Sequence, residues 1–205
     1  MEDNNYKKIL QKKGRFLDIR PFREDSKESL IKIAKKELKN LQVEIPSLIV
    51  TELGFHRKDP AARKEMSLLF QEFELKPIKW LYPVRKELKK MKFNPNRSGK
   101  HSLYSILLKY PSYPYYGIYV GESKFSFEER YKQHKNDDFT ASRHPRDYGV
   151  EILYSVTGFF HPPNLQNPGP DRSYAKNLEE KIGVRLKKDI FKTKGLPRNR
   201  VKGCH

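Results

Sequence analysis

Hydrophobic positions in the first half of the chain recur mostly at helical spacing. Asp25, with Glu28 three residues later, has the form of a capping box, and it opens a segment with one apolar and one lysine-rich face. The apolar face consists of Leu30, Ala34, Leu38 and Leu41. Asp59 followed by Pro60 predicts a second helix start, since Asp caps and Pro suits the first turn. Between these helices, the apolar residues 47–51 predict a short strand.

The second half has a mixed pattern. Aliphatic and aromatic runs at 103–108 and 115–120 predict two strands, and the prolines between them predict the turn of a hairpin. A helix is expected over 126–135, a third strand over 150–156 and a last helix over 173–187. Residues 159–171, rich in Pro, Asn and Gly, predict an exposed loop. The predicted order is therefore β-β-α-β-α.

A polar stretch containing Pro95 and Gly99 separates the helical pattern of the first half from the mixed pattern of the second. It predicts a linker over 94–101, between a mainly helical N-terminal module at 1–93 and a second domain at 102–192, with a basic tail at 193–205. The expected fold class is α+β, a small three-stranded antiparallel sheet flanked by helices, with the helical module in front.

The composition of the whole chain indicates which class of partner it binds and which it does not. The chain has 205 residues, 43 Lys and Arg against 25 Asp and Glu, and a net charge of +18, which favours a polyanion. No apolar run approaches the roughly 18 residues of a membrane span, so no membrane association is expected. Cys204 is the single cysteine, which excludes an internal disulfide. Together with a polar N-terminus, this predicts a reducing, cytoplasmic location.

The candidate chemistry lies around residues 119–134. Arg130 and His134 are four residues apart, so a helix places both side chains on one face. Gly121, after Tyr119, would permit a turn into that helix and the close approach of a phosphate. In the last helix, Glu179 or Glu180 could hold a divalent cation. Phenol, imidazole, guanidinium and carboxylate groups together suit phosphodiester hydrolysis.

In order and spacing these residues resemble the GIY-YIG nucleases over roughly residues 100–192. Tyr119-Val120-Gly121 matches the second motif, and Ser102-Leu103-Tyr104 is a degenerate first motif. Arg130 and His134 correspond to the family's Arg and His, and Glu179 to its metal-binding Glu, with Glu180 as the competitor. The family's frequent Asn falls on Phe191, and Asn199 is the nearest replacement.

The resemblance implies a metal-dependent endonuclease with the following roles. Tyr104 acts as a base towards the attacking water or orients it, and Tyr119 supports the water or the phosphate. Arg130 neutralises the developing charge, His134 assists, and Glu179 ligates Mg²⁺ or a similar ion such as Mn²⁺. A tyrosine of ordinary pKa, about 10, needs nearby cations to lower it before it can act as a base.

Recognition is expected from the N-terminal module or the loop, and nucleic-acid contact from Gly121 and from basic residues towards the C-terminus. Those residues are Lys187, Lys188, Lys192, Arg198 and Arg200. A freestanding nuclease of this kind resembles a type II restriction enzyme, which would need a homodimer or transient pairing to cut both strands of DNA. The alternatives are a non-enzymatic basic nucleic-acid-binding protein, or a homing nuclease, repair nuclease or ribonuclease on the same scaffold.

Overall fold

The computed structural model describes residues 17–91, 101–111, 115–136, 142–160, 171–187 and 201–202. The chain divides into two compact units, Met1–Lys86 and Glu87–His205, and the division falls within the helix Leu81–Lys90. This is earlier in the chain than the predicted end of the N-terminal module at residue 93. Most of the predicted linker, residues 94–100, lies outside the described residues.

The described part of the first unit is helical. Its helices are α1 (Lys27–Lys39), α2 (Glu44–Val50), α3 (Pro60–Glu72) and the start of α4 (Leu81–Lys90), and α2 runs on into a π-helical turn over Thr51–His56. Their apolar faces form the core, which includes Leu30, Ala34, Leu38, Ile45, Ile49, Leu53, Met66 and Phe70. The described residues therefore agree with the predicted helical character.

The two predicted helix starts have different outcomes. Asp59 caps α3 as expected, since its Oδ1 accepts a hydrogen bond from Ala62 N at 2.9 Å, and Pro60 is the first helical residue. The prediction that Asp25 caps the first helix was wrong by one residue. Ser26 is the N-cap of α1, and its hydroxyl accepts a hydrogen bond from Ser29 N at 3.2 Å.

The predicted strand at 47–51 is also wrong, because these residues belong to α2 and the turn that follows. A short apolar run does not distinguish a buried strand from a buried helix. Here Ser47, Leu48 and Ile49 are buried, and the Ser47 hydroxyl donates to Val43 O at 2.6 Å while accepting from Ile78 N at 2.8 Å. The helix satisfies the serine within the core, which a strand at this place would not.

The second unit is α+β. An antiparallel hairpin of β1 (Ser102–Lys109) and β2 (Tyr116–Ser123) forms the centre of the sheet, β3 (Gly149–Ile152) pairs antiparallel with β1, and the two-residue β4 (Val201–Lys202) pairs parallel with β2. The strand order is β3-β1-β2-β4. The helices are α5 (Phe127–Lys135), α6 (Arg143–Tyr148), α7 (Tyr154–Phe160) and α8 (Arg172–Arg185).

The predictions of the hairpin and of the helices α5 and α8 are confirmed, with bounds that agree to within a few residues. The third strand does not: only its first residues pair, and the rest form α7, as do the first residues of the predicted loop. Val156 and the residues around it favour a strand, but burial against β1 overrides this. Thr157 of α7 accepts a hydrogen bond from Ser105 N at 3.0 Å, and Leu153 N donates to Ser105 O at 2.9 Å.

None of the described helices has both the length and the apolar character needed to cross a bilayer.

A buried carboxylate ties together the segments of the first unit. Glu52 is 2% exposed, and it accepts hydrogen bonds from Arg20 Nη2 at 2.8 Å and from Arg57 Nε at 3.1 Å. Burial alone would raise the pKa of Glu52, but the two guanidinium groups outweigh it and lower the pKa. Arg57 also donates to the carbonyls of Phe22 and Asp25, so the network fixes the chain before α1.

We therefore expect Glu52→Gln to lower the free energy of unfolding by about 3 kcal/mol at neutral pH, because it leaves two guanidinium groups without their counter-charge. Glu24→Gln is the matched control, since Glu24 pairs with Arg23 on the surface, and it should stay within about 0.5 kcal/mol of wild type. Denaturant unfolding followed by circular dichroism measures both variants. The Glu52 contribution should also disappear as the pH falls below the usual glutamate pKa of about 4.3, and equal effects of the two variants would contradict this account.

Candidate active site

Two tyrosines meet on one face of the hairpin. In the register of β1 and β2, Tyr104 lies opposite Gly121 and Ile106 opposite Tyr119, so Tyr104 and Tyr119 are diagonal neighbours on the same face. Their ring centroids are 6.0 Å apart. Both are buried in a cluster with Ile106 and Leu108, and Tyr104 is only 1% exposed. The structure thus brings the two motif tyrosines together.

Gly121 makes this meeting of the rings possible. A Cβ at this position would lie 2.7 Å from Cε1 of Tyr119 and 2.8 Å from the hydroxyl oxygen of Tyr104, closer than real Cβ atoms approach. Gly121 lies inside β2 and not at a turn, so the expectation that it allows the turn into the helix was wrong. Its missing side chain leaves room for the phenol rings, while contact with a phosphate stays a prediction.

Helix α5 adds His134 and Arg130 to the tyrosines. A capping box fixes the start of the helix, with Ser126 Oγ accepting from Glu129 N at 3.2 Å and Glu129 Oε2 accepting from Ser126 N at 3.0 Å. His134 is fully buried, and its Nε2 is hydrogen-bonded to the Tyr104 hydroxyl at 2.9 Å. The His134 ring lies 5.8 Å from the ring of Tyr119, edge to face.

Arg130, one helical turn before His134, acts on the same hydroxyl. Its guanidinium interacts with Tyr104 through a hydrogen bond and through its charge, and it donates from Nη1 to Gln133 Oε1 at 2.8 Å. The prediction that Arg130 and His134 share a helix face is confirmed. Four predicted site residues, Tyr104, Tyr119, Arg130 and His134, therefore form one contiguous group.

Burial dominates the electrostatics of both tyrosines. It raises the pKa of Tyr104 well above its ordinary value, and the charge of Arg130 offsets only part of this. Burial likewise raises the pKa of Tyr119, with a further contribution from the negative charge of Glu179. The expected lowering of the Tyr104 pKa by Arg130 is therefore outweighed, and Tyr104 keeps its proton at neutral pH.

Glu179 lies beside β2, and its neighbour Glu180 does not. Glu179 is 8% exposed, packed with the inner face of α8, whereas Glu180 is exposed. The backbone amide of Glu122 donates a hydrogen bond to the Glu179 carboxylate. Burial and the nearby negative charge of Glu122 raise the pKa of Glu179 to about 7. Of the two candidate carboxylates, Glu179 is the one directed towards the sheet.

A cleft of about 580 Å³ adjoins this group. Arg130 lines it, and so do the strand ends and the start of α8, through His101, Glu122, Ser123, Lys124, Phe125, Gln133 and Arg172. Glu122 Oε2 is 2.5 Å from Nδ1 of His101, and Glu122 Oε1 is 3.8 Å from Nε of Arg172. The cleft is basic, with Lys124, Arg130 and Arg172 around one engaged carboxylate.

Sequence reasoning missed His101, Glu122 and Arg172. A usable signal was present, because Glu122 directly follows the Tyr-Val-Gly motif and is a charged residue inside an otherwise apolar strand. The hairpin pairs Leu103 with Glu122, and His101 precedes β1, so the pairing alone places His101 and Glu122 at the same end of the sheet.

Glu179 is the buried carboxylate of this site that could serve as a ligand to a divalent cation. Within the described ranges, no three His, Cys, Asp or Glu side chains are grouped to hold a metal ion. Mg²⁺ usually takes one or two carboxylates and completes its shell with water and substrate phosphate oxygens. Glu179 offers one carboxylate whose ionisation is disfavoured by burial and would be favoured by a cation. Glu122 is already bound by His101 and lies near Arg172.

The remaining predicted contacts fall largely outside the described residues. Lys187 ends the described segment after α8, while Lys188, Lys192, Arg198 and Arg200 lie beyond it, as do Phe191 and Asn199. Their predicted contact with nucleic acid, and the replacement of the family Asn, stay predictions.

Comparison of this chain with protein-family models, with characterised proteins and with solved structures gives no match.

The packing at Gly121 predicts that Gly121→Ala destabilises the protein by about 2 kcal/mol, because the new methyl group must displace two buried rings. Gly54→Ala is the matched control: its Cβ would lie 3.6 Å from the nearest side-chain atom, an ordinary contact distance. Denaturant unfolding gives the stabilities, and near-ultraviolet circular dichroism reports the tyrosine environment. Unchanged stability and an unchanged tyrosine signal in Gly121→Ala would contradict the proposed packing.

The raised pKa of Glu179 predicts a pH-dependent effect on stability. An unfolded glutamate titrates at about 4.3, so as the pH rises from there to about 7 the unfolded chain loses its proton first and unfolding becomes more favourable. Glu179→Gln should therefore raise the thermal midpoint near pH 8 and leave it unchanged near pH 4, the approximate limits of that window. Glu180→Gln, at the exposed neighbour, should have no effect at either pH. A gain for Glu180→Gln, or none for Glu179→Gln, would show that burial of Glu179 does not penalise its charge.

Proposed function

We propose that this protein is a metal-dependent endonuclease that hydrolyses phosphodiester bonds in DNA, with a GIY-YIG-like nuclease domain in the second unit. One observation carries the proposal. Arg130 interacts with the buried Tyr104, and it also lines the basic cleft, so the group of motif residues adjoins a place where a phosphate can bind. The net charge of +18 favours a polyanionic substrate.

Each side chain has a role that fits its surroundings. Arg130 at the cleft binds the scissile phosphate and neutralises the charge that develops on it. Tyr104, 1% exposed and with a raised pKa, orients its neighbours instead of removing a proton. His134 is hydrogen-bonded to the Tyr104 hydroxyl, and Tyr119 packs against the His134 ring and is influenced by the charge of Glu179.

Glu179 would hold the divalent cation. When bound, the ion supplies positive charge that stabilises the departing 3′ oxygen. The burial of Glu179 is consistent with this role, because burial penalises the charged carboxylate and so favours its binding of a proton or a cation. The amide of Glu122 fixes the orientation of the carboxylate.

We further propose a site-specific, restriction-like enzyme, in which the helical first unit contributes to recognition. Hydrolysis of both strands at a symmetric site with one active centre per chain requires a homodimer or transient pairing. Discrete fragments from a genomic substrate support site specificity, whereas a smear supports a repair or nonspecific nuclease.

The test is cleavage of supercoiled plasmid with Mg²⁺, with Mn²⁺ and with EDTA. Wild type should nick or linearise the plasmid only with the metal ion, and Glu179→Gln and Arg130→Ala should each lower the rate by about 10²–10⁴-fold. Glu180→Gln and Lys132→Ala are the matched controls on the same helices, both at exposed positions, and should keep the rate within a few-fold of wild type.

A basic nucleic-acid-binding protein without catalysis is the second candidate. The cleft favours it in one respect, because Lys124, Arg172 and the exposed ring of Phe125 form a surface suited to phosphates and bases. Binding without cleavage, unchanged in Glu179→Gln, would support this candidate and overturn the enzyme. Faster digestion of RNA than of DNA would identify a ribonuclease.

A further inference from the structure

His101 is held at the wall of the cleft by a carboxylate. Its Nδ1 lies 2.5 Å from Glu122 Oε2, and the side chains of His101 and Glu122 are 18% and 13% exposed. Arg130 lines the same cleft. A histidine whose one ring nitrogen is fixed by a carboxylate, beside a phosphate-binding arginine, has the arrangement that hydrolases use to activate a nucleophile.

The hydrogen bond to Glu122 determines which nitrogen carries the proton. An ionised carboxylate only accepts, so Nδ1 of His101 must donate to it. In the neutral ring the lone pair then lies on Nε2, where it can take a proton. The charged groups that line the cleft together with His101 are Glu122 on β2, Arg172 at the start of α8, Lys124 and Arg130. The three cations favour an anionic substrate in the cleft that His101 lines.

The motif residues are less suited to the same step. Tyr104 is 1% exposed and keeps its proton because burial raises its pKa. His134 is fully buried, and its Nε2 is already engaged by the Tyr104 hydroxyl. A base must lie within reach of the proton that it removes. His101, which lines the cleft, meets this condition better than either of them.

We propose that His101 is the general base of the reaction and that Glu122 is its positioning residue; this inference rests on the proposed nuclease function. Nε2 of His101 takes a proton from a water molecule as the water oxygen forms a bond to phosphorus. The bond between phosphorus and the 3′ oxygen breaks, and the 3′ oxygen leaves with the electron pair and takes a proton from solvent. The products are a 5′-phosphate and a 3′-hydroxyl, and His101 returns its proton to solvent.

The first test concerns the ring itself and needs neither metal nor substrate. A long-range ¹H–¹⁵N spectrum of the ¹⁵N-labelled protein near neutral pH gives the protonation state of each imidazole, and the spectrum of His101→Ala assigns the signal of His101 among the six histidines. We expect the neutral ring to carry its proton on Nδ1. A neutral ring with its proton on Nε2 overturns the proposal.

The second test separates catalysis from structure. His101→Ala should lower the rate of plasmid cleavage by about 10²–10⁴-fold, and added imidazole should restore at least part of it, because a free base can occupy the space. His101→Asn keeps a donor for Glu122 but lacks Nε2, so it should be as slow as His101→Ala while melting like wild type. His144→Ala is the control, since His144 bonds Tyr110 and does not line the cleft.

The outcomes distinguish a failure of the proposed nuclease function from a failure of the proposed role of His101. If wild type does not cleave any nucleic acid, the proposed function fails, and the tautomer alone does not rescue it. If wild type cleaves and His101→Asn cleaves equally fast, the function stands and His101 is not the base. A loss in His101→Ala that imidazole does not restore, together with full activity of His101→Asn, shows that His101 only supports Glu122.

Discussion

The register of the β1–β2 hairpin is the constraint on which the candidate site depends. Successive side chains of a strand point to opposite faces, so a shift of one residue would move every side chain of the pair to the wrong side. With Tyr104 opposite Gly121, the two phenol rings share one face and Gly121 leaves the space that they occupy. The same register brings His101 to Glu122 at the end of the sheet. Both the buried group and the cleft thus follow from one set of backbone hydrogen bonds.

Burial gives the polar residues of this site their properties. A hydroxyl or imidazole removed from water destabilises the fold unless it finds a partner, and Tyr104 and His134 satisfy each other. The Tyr104 hydroxyl of this pair also interacts with Arg130, which lines the cleft. Burial, and then the like charge of the neighbouring Glu122, raise the pKa of Glu179 to about 7. A carboxylate that the fold disfavours in its charged form is a common mark of functional sites, where stability is given up for chemistry.

The sequence predicted those features that depend on local pattern or on motif order. The hairpin, the helices α5 and α8, and the cap at Asp59 follow from alternation, helical spacing and capping chemistry, which act over a few residues. The prediction of strands at residues 47–51 and 153–156 was wrong, because contacts distant in sequence determine the structure of both segments. Ser47 is hydrogen-bonded to Ile78 N, and Ser105 is hydrogen-bonded to Thr157 and Leu153. The grouping of Tyr104, Tyr119, Arg130 and His134 could be anticipated. The pKa of Tyr104 could not, because it depends on how completely the ring is buried.

Burial divides the polar residues of this site into a buried group and a group that lines the cleft. The motif residues most typical of the chemistry, Tyr104 and His134, lie beneath the surface and bind one another, so neither is free to exchange protons with a water molecule in the cleft. The residues that line the cleft include Arg130 and the pair of His101 and Glu122. In the proposed reaction, Arg130 would supply positive charge and His101 a base within one cleft. Tyr104 would then act indirectly, through its contact with Arg130.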